Sequence, residues 1–412
     1  MPNKPTTTIR IDLEDKDKAN KIFKEIGINL SSAVNAFLKV VIREGSIPFP
    51  LEASSKPKEH ESRNTALNRA FMNRKDEFYT MYEDVEKEML LHADQFVGRT
   101  VLCNCDDPFE SAFFRFFVIN FNKLGLSKLI STCYSPSSLS KTINTCQNAY
   151  MAVITKVPNV FVAEDDGSLD LNILFNVEGN RLSFLAGDGD FRSSECINIL
   201  KNADIVCTNP PFSLFREYIS LLIEHGKHFI ILGNMNAVTC KEIFPLFRDN
   251  KVWYGDSISS GDRKFFVPDD YPLEASGCGI DAEGRRYIRV KGVRWFTNLE
   301  TPRRRIPLNL TNEYSPTQYP KYDNYDAIEV SKTMLIPTNY SGIMGVPITF
   351  LDKYCPEQFK ILMLANGNAR TNNPKDTLDF VGYEQAENDR GGVCMIDGKM
   401  TYARILIQRI DR

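Results

Sequence analysis

The sequence predicts an α/β protein built on a mostly parallel sheet with helices on both faces, with a small separate module at its N-terminus. Three observations lead there. Five short apolar runs, TVLCN, KLIST, RLSFLA, ADIVCT and HFIILGN, fall between residues 100 and 234, interspersed with stretches of helical spacing. Short β-rich runs alternating with helices build parallel sheets covered on both sides. Residues 6–13, TTTIRIDL, alternate with the two-residue period of a strand before helical periodicity takes over. Between these regions, residues 52–73 are polar with little periodicity, as a linker is.

Composition narrows the class. The chain has 412 residues, 42% hydrophobic and 25% charged, which is ordinary for a globular protein with ample material for a core. No run approaches the roughly 18–20 apolar residues of a membrane span. The N-terminus has no apolar stretch behind its charges, so it does not read as a secretory signal. A cytoplasmic protein with no membrane partner is expected. Cys103 and Cys105 are the one close pair among ten cysteines, and the four histidines complete no zinc pattern, so reduced thiols and no metal are expected. Charge is uneven. Residues 1–75 carry 14 Lys and Arg against 9 Asp and Glu, a surplus of five that leaves the rest of the chain at about −8. A basic arm on an acidic body suggests a polyanion partner.

In the N-terminal module, Ile9, Ile11 and Leu13 point one way, and Thr8, Arg10 and Asp12 the other. Ala19, Ile22, Phe23 and Ile26 then recur at helical spacing, stopped by Gly27; Val34, Phe37, Leu38 and Val41 line a second helix ended by Gly45. Such a unit is too small to bury a core alone, and its single strand has two open edges. Two copies pairing their strands would cure both problems. The segment TTTIRIDLEDKDKANKIFKEIGINLSSAVNAFLKVVIREGSIPFPLE resembles the N-terminal half of RelB/DinJ-type antitoxins, ribbon–helix–helix proteins. That resemblance implies a homodimer through residues 1–51. It also implies strands that enter the major groove of double-stranded DNA, with Thr8, Arg10 and Asp12 facing the bases.

From Lys75 the pattern is α/β. Residues 76–96 read as one helix with Tyr82, Val85, Met89 and Phe96 on a single side. Beyond about residue 250 the chain is richer in aromatics, Pro and Arg. Ligands of parallel sheets bind past the carboxyl ends of the strands, so the residues following each run matter most. Directly after ADIVCT stands Asn209-Pro210-Pro211-Phe212. The exocyclic nitrogen of adenine is a poor nucleophile, because its lone pair is delocalised into the ring. Two acceptors aimed at its hydrogens, the Asn209 side-chain oxygen and the Pro210 carbonyl, would free that pair. The prolines stiffen the turn, and Phe212 offers a face to an everted base.

From about Arg74 onward the sequence resembles the EcoRI-type adenine-specific DNA methyltransferase family. The resemblance is carried by DEFYT (76–80), VLCNCDDPFESAFF (101–114), GDGDFRS (187–193), ADIVCTNPPFSLFREYI (203–219), KYDNYDAIEV (321–330) and MGVPITFLDKYCPEQF (344–359). It implies a Rossmann-like class I methyltransferase sheet with S-adenosylmethionine as cofactor, a catalytic core over 74–250, and a remainder at 251–412 that includes target recognition. It implies that Tyr79 and Thr80 meet the methionine end of the cofactor, Thr80 through its hydroxyl. The loop Asn104–Phe109, with Asp106 and Asp107, would pass beneath the cofactor, although it lacks the usual glycines. Asp190 would accept from the cofactor adenine amine while Phe191 stacks on it, with Asp188 a competing acid. No acid follows KLIST to grip the ribose.

A further basic stretch lies at 285–305. Arg286, Arg289, Lys291 and Arg294, with Tyr287, Trp295 and Phe296, suit phosphate contacts and stacking. Competing readings are cytosine-N4 methylation, methylation of RNA or a protein glutamine, and a DNA-binding regulator with an inactive methyltransferase body.

Overall fold

The computed structural model describes Leu30, Val34 and residues 78–410 other than 106, 109, 135–148, 159–170, 268–270, 272 and 274–276. The chain divides into two units, residues 1–62 and 63–412. In the first, Leu30 and Val34 are helical. The expected strand at 6–13, Thr8, Arg10, Asp12, the linker and Asp106 lie outside the described residues.

Among the described residues, the second unit opens with strand β1 (Tyr79–Thr80), the helix Tyr82–Met89 and a 3-10 segment Leu90–Phe96. The single helix expected over 76–96 therefore starts later and tightens midway. Tyr79 and Thr80 are drawn into sheet pairing instead. The apolar stripe is where its spacing put it: Val85, Met89 and Phe96 are fully buried.

The apolar runs become β2 (Thr100–Asn104), β3 (Lys128–Thr132), β5 (Arg181–Phe184), β6 (Ile205–Thr208) and β7 (His228–Asn234). Sequence reasoning missed β4 (Tyr150–Ile154) and β8 (Trp253–Tyr254). Next come β9 (Asp262–Phe266), β10 (Gly279–Ile280), β11 (Arg286–Lys291) and β12 (Val293–Thr297). The central sheet has eight strands in the order β5-β4-β3-β2-β6-β7-β12-β8. Strands β3, β2, β6 and β7 are mutually parallel; β4 and β12 run against them. Alternate residues feed two cores. Leu102, Val206 and Ile231 pack on one face, and Val101, Cys103, Ile205 and Ile230 on the other. Burial on both faces is why β2, β3, β6 and β7 read as unbroken apolar runs; β5, at the edge of the sheet, is largely exposed.

A smaller antiparallel sheet, β1-β9-β11-β10, lies in the second of these cores through Phe265, Ile288 and Val290. The C-terminal region forms β13 (Ala327–Glu329), β14 (Ile343–Pro347), β15 (Phe359–Ala365), the hairpin β16 (Met395–Ile396) and β17 (Lys399–Met400), and β18 (Arg404–Arg409). Its sheet, ordered β13-β14-β18-β15, shares the first core through Ile328, Met344, Ile361 and Ile407. Among the described residues no helix is long and apolar enough to cross a membrane.

Candidate active site

The carboxyl ends of β2 and β6 lie side by side and release the Asn104 loop and the Asn209 turn. They are stitched together. The Thr208 hydroxyl donates to the Asn104 carbonyl, and the Tyr218 hydroxyl donates to Asn104 Oδ1. Tyr218 stands on the helix Phe215–Glu224, fully buried, its ring edge-on to Phe191 at 5.0 Å. One tyrosine thus ties the loop after β2 and the Phe191 turn to the helix that follows the Asn209 turn. Sequence reasoning missed it, though its signal was present: a hydroxyl in the apolar stripe Phe215, Tyr218, Ile219, Leu222 needs a buried partner.

The Asn209 side chain is 8% exposed. Its Nδ2 donates to the Phe78 carbonyl at 2.9 Å, which fixes which way the amide faces. Its Oδ1 is buried and has no hydrogen-bond partner. Leaving an acceptor in that condition costs about 1–3 kcal/mol. Pro210 is buried, and the Pro211 carbonyl accepts from Leu214 N–H at 3.0 Å, starting the 3-10 turn Phe212–Leu214. Phe212 is half-buried, edge-on to Phe78 at 5.9 Å and to Phe265 at 6.5 Å. The turn is therefore braced from behind by the segment that leads into β1.

Thr80 belongs to the same constellation. It shares the side of its strand with Phe78, and its hydroxyl oxygen is buried without a partner. Tyr79, opposite Phe266, points to the other side. In the loop after β2 the left-handed position that a glycine would fill is taken by Cys105, with φ 63°. Asp107 is buried and accepts from the Tyr150 hydroxyl of β4, so it is anchored to the sheet.

Beyond β5, Gly189 has φ 81°, and a methyl group there would overlap the Cys133 carbonyl. The turn that delivers Asp190 is thus fixed. The Asp190 carboxylate receives Arg192 Nε at 3.0 Å and Nη2 at 2.7 Å. Hydrogen bonding from Arg192 outweighs partial burial and holds its pKa below the usual carboxylate range. Asp188 is exposed. Phe191 is 5% exposed and packed against Tyr218, so little of its ring is open for the expected stacking.

The basic stretch is divided between two sheets. Arg289 and Lys291 are exposed on the outer face of β11 with Tyr287. Arg286 faces the other way and donates to the Tyr271 carbonyl at 2.7 Å. Arg294 corrects the expectation: it is 3% exposed, with Nε 2.6 Å and Nη2 3.0 Å from the Asp352 carboxylate. Trp295 and Phe296 are fully buried, because β12 lies inside the central sheet, and they present no face for stacking.

A mixed sheet with parallel centre strands, an antiparallel strand second from each edge and an Asn-Pro-Pro-Phe turn at its carboxyl side is the architecture of a class I methyltransferase fold. Residues 66–410 match the family model of the adenine-specific methyltransferase EcoRI, and the chain belongs to that family. The type II methyltransferase M.EcoRI of Escherichia coli is 43% identical over 348 residues, covering 84% of this chain and 96% of that protein. M.MpnI of Mycoplasma pneumoniae is 36% identical and M.MgeORF184P of Mycoplasma genitalium 37%, each covering 83% of this chain and 98% of the relative. Residues 6–68 match the RelB antitoxin family model, a span reaching into the segment read as linker. No solved structure matches.

Proposed function

We propose that the chain transfers the methyl group of S-adenosylmethionine to N6 of an adenine turned out of double-stranded DNA at a specific site. The observation that carries this reading is the Asn209 amide, pinned through Nδ2 with its buried Oδ1 left without a partner. An entering amine donates to that oxygen and recovers the cost of its burial. The Pro210 carbonyl takes the second N–H. With both hydrogens held, the nitrogen pyramidalises and its lone pair localises. Catalysis then rests on placement and on acceptors already in position. Phe212, stiffened by Phe78 and Phe265, provides a face for the everted base.

The residues present fit the cofactor. The unpartnered Thr80 hydroxyl suits its carboxylate, and Asp190, kept ionised by Arg192, suits the amine of its adenine. Asn104 and Asp107 shape the floor beneath it, whereas Tyr79 points to the other side of β1. When bound, S-adenosylmethionine supplies a methyl group on sulfonium, an electrophile that needs no metal. Arg289 and Lys291 contact phosphates, with Arg286 behind them. The N-terminal module pairs two copies and sets Thr8, Arg10 and Asp12 against the duplex in the cytoplasm.

The test is incubation with methyl-labelled cofactor and separate pools of DNA, RNA and protein. Label recovered as N6-methyladenine in DNA is the expected result. Label confined to RNA or protein overturns the reading, and operator binding with no transfer to any pool favours the regulator instead.

A further inference from the structure

The carboxyl end of β15 lies against the segment that leaves the carboxyl end of β7. Thr239 and Cys240, in the segment leaving β7, line a small cleft with Leu364 and Asn366 at the end of β15. The segment Asn366–Asn373, NGNARTNN, whose residues Ala369–Asn372 form one short helical turn, therefore begins on the same side as the Asn209 turn. Asn368, Arg370 and Asn372 are exposed, as is Arg390 on the neighbouring loop.

The backbone beneath these side chains is unusually fixed. Arg370 N–H donates to the Gly391 carbonyl at 3.0 Å. A methyl group at Gly391, whose φ is 88°, would overlap the Gly367 carbonyl, so the two loops touch where no side chain fits. Asn388 also adopts a left-handed φ of 65°. The turn is held from below by Asp389, 6% exposed, which accepts from Tyr383 Oη at 2.6 Å, Gly392 N at 2.8 Å and Asn324 Nδ2 at 3.1 Å. Burying a carboxylate is costly, and strained backbone persists only where its surroundings hold it. Here both serve to hold a row of exposed amides and guanidinium groups still.

We infer that Asn368, Arg370 and Arg390 read base edges beside the target adenine, and that the Asp389 network fixes their spacing. Amides pair with adenine N6 and N7, and guanidinium groups with guanine O6 and N7, in the major groove. No ion pair occupies Arg370 or Arg390 among the described residues, in contrast to the bidentate grip on Arg294. The inference rests on the DNA reading of the active site, so its test reads binding apart from methyl transfer.

The full chain and the variants Asn368→Ala, Arg370→Ala, Arg370→Lys and Arg390→Ala are each used to select duplexes from a randomised library. Melting temperature and cofactor affinity are measured alongside. Each variant should keep both but lose roughly tenfold to a hundredfold of its preference at one base pair, and lysine should not restore what Arg370 provides. A binding profile identical to wild type in all four variants overturns the inference. Loss of preference at every position together with a lowered melting temperature also overturns it, since that marks a structural role. Failure of methyl transfer with an intact binding profile counts against the catalytic reading alone.

Discussion

Asn209 and Thr80 each present a buried oxygen with no protein partner, and this makes two substitutions diagnostic. Asn209→Ala should lower kcat by at least about 100-fold with cofactor affinity nearly unchanged, measured by single-turnover transfer and by titration. Asn209→Asp should be as damaging, because its second oxygen would face the Phe78 carbonyl where Nδ2 now donates. Activity within a few-fold of wild type in either variant removes the acceptor role. Thr80→Val deletes an unsatisfied polar atom, which leaves the free protein as stable or slightly more so. It should nevertheless weaken cofactor binding by about tenfold or more, the worth of a hydrogen bond to a charged group. A loss of melting temperature without loss of affinity would contradict that assignment. Asn209 was legible because its signal is contiguous, four residues after an apolar run. Its Phe78 partner lies 131 residues away and acts through a backbone carbonyl, which no side-chain pattern reveals.

Four of the five expected strands, β2, β3, β6 and β7, were legible because parallel strands covered on both faces are apolar throughout, whereas β5 is an exposed edge strand paired antiparallel with β4. β4 itself was not legible, although YMAVI is as apolar as the rest: a strand inserted antiparallel between β3 and β5 has no turn signal announcing it. Arg294 and Trp295 were misplaced because charge and aromaticity show composition but not the face occupied. The helix Tyr82–Met89 is tied to the loop after β8 by Glu88, which is fully buried. Its carboxylate accepts from Asp256 N at 3.1 Å and Ser257 N at 2.7 Å, with His92 Nε2 at 3.3 Å. Burial pushes the Glu88 pKa up, but hydrogen bonds from His92 and Ser257 outweigh it and hold the group below the usual glutamate value. A group lowered in the folded state stabilises it fully above the unfolded pKa, and that contribution is lost as pH falls through the folded value. Glu88→Gln should therefore cost roughly 1.5–3 kcal/mol near neutrality, and its stability should change less than wild type's below about pH 5. Urea unfolding across that range decides it; parallel pH profiles would show that Glu88 is not the group responsible.

At the scale of the molecule, an acidic enzyme carries a basic arm. The relatives span 96–98% of their own length against this chain, and the methyltransferase family model begins only at residue 66. The methyltransferase match therefore falls within the second unit and leaves most of the arm outside it. The sequence reads residues 1–51 as a strand and two helices, a unit that would gain a core by pairing, and pairing would double the positive charge offered to one duplex. Deleting residues 1–62 should turn a dimer into a monomer while kcat stays within a few-fold. DNA affinity should fall at low ionic strength, and the salt dependence of binding should become shallower, because every phosphate no longer neutralised takes about one unit off the slope. Sedimentation and binding titrations over a salt series measure both. A truncated chain that stays dimeric locates the interface in the methyltransferase body. An unchanged salt slope means that the arm's charges face away from DNA, and that the enzyme finds its site through the C-terminal loops and the outer face of β11 alone.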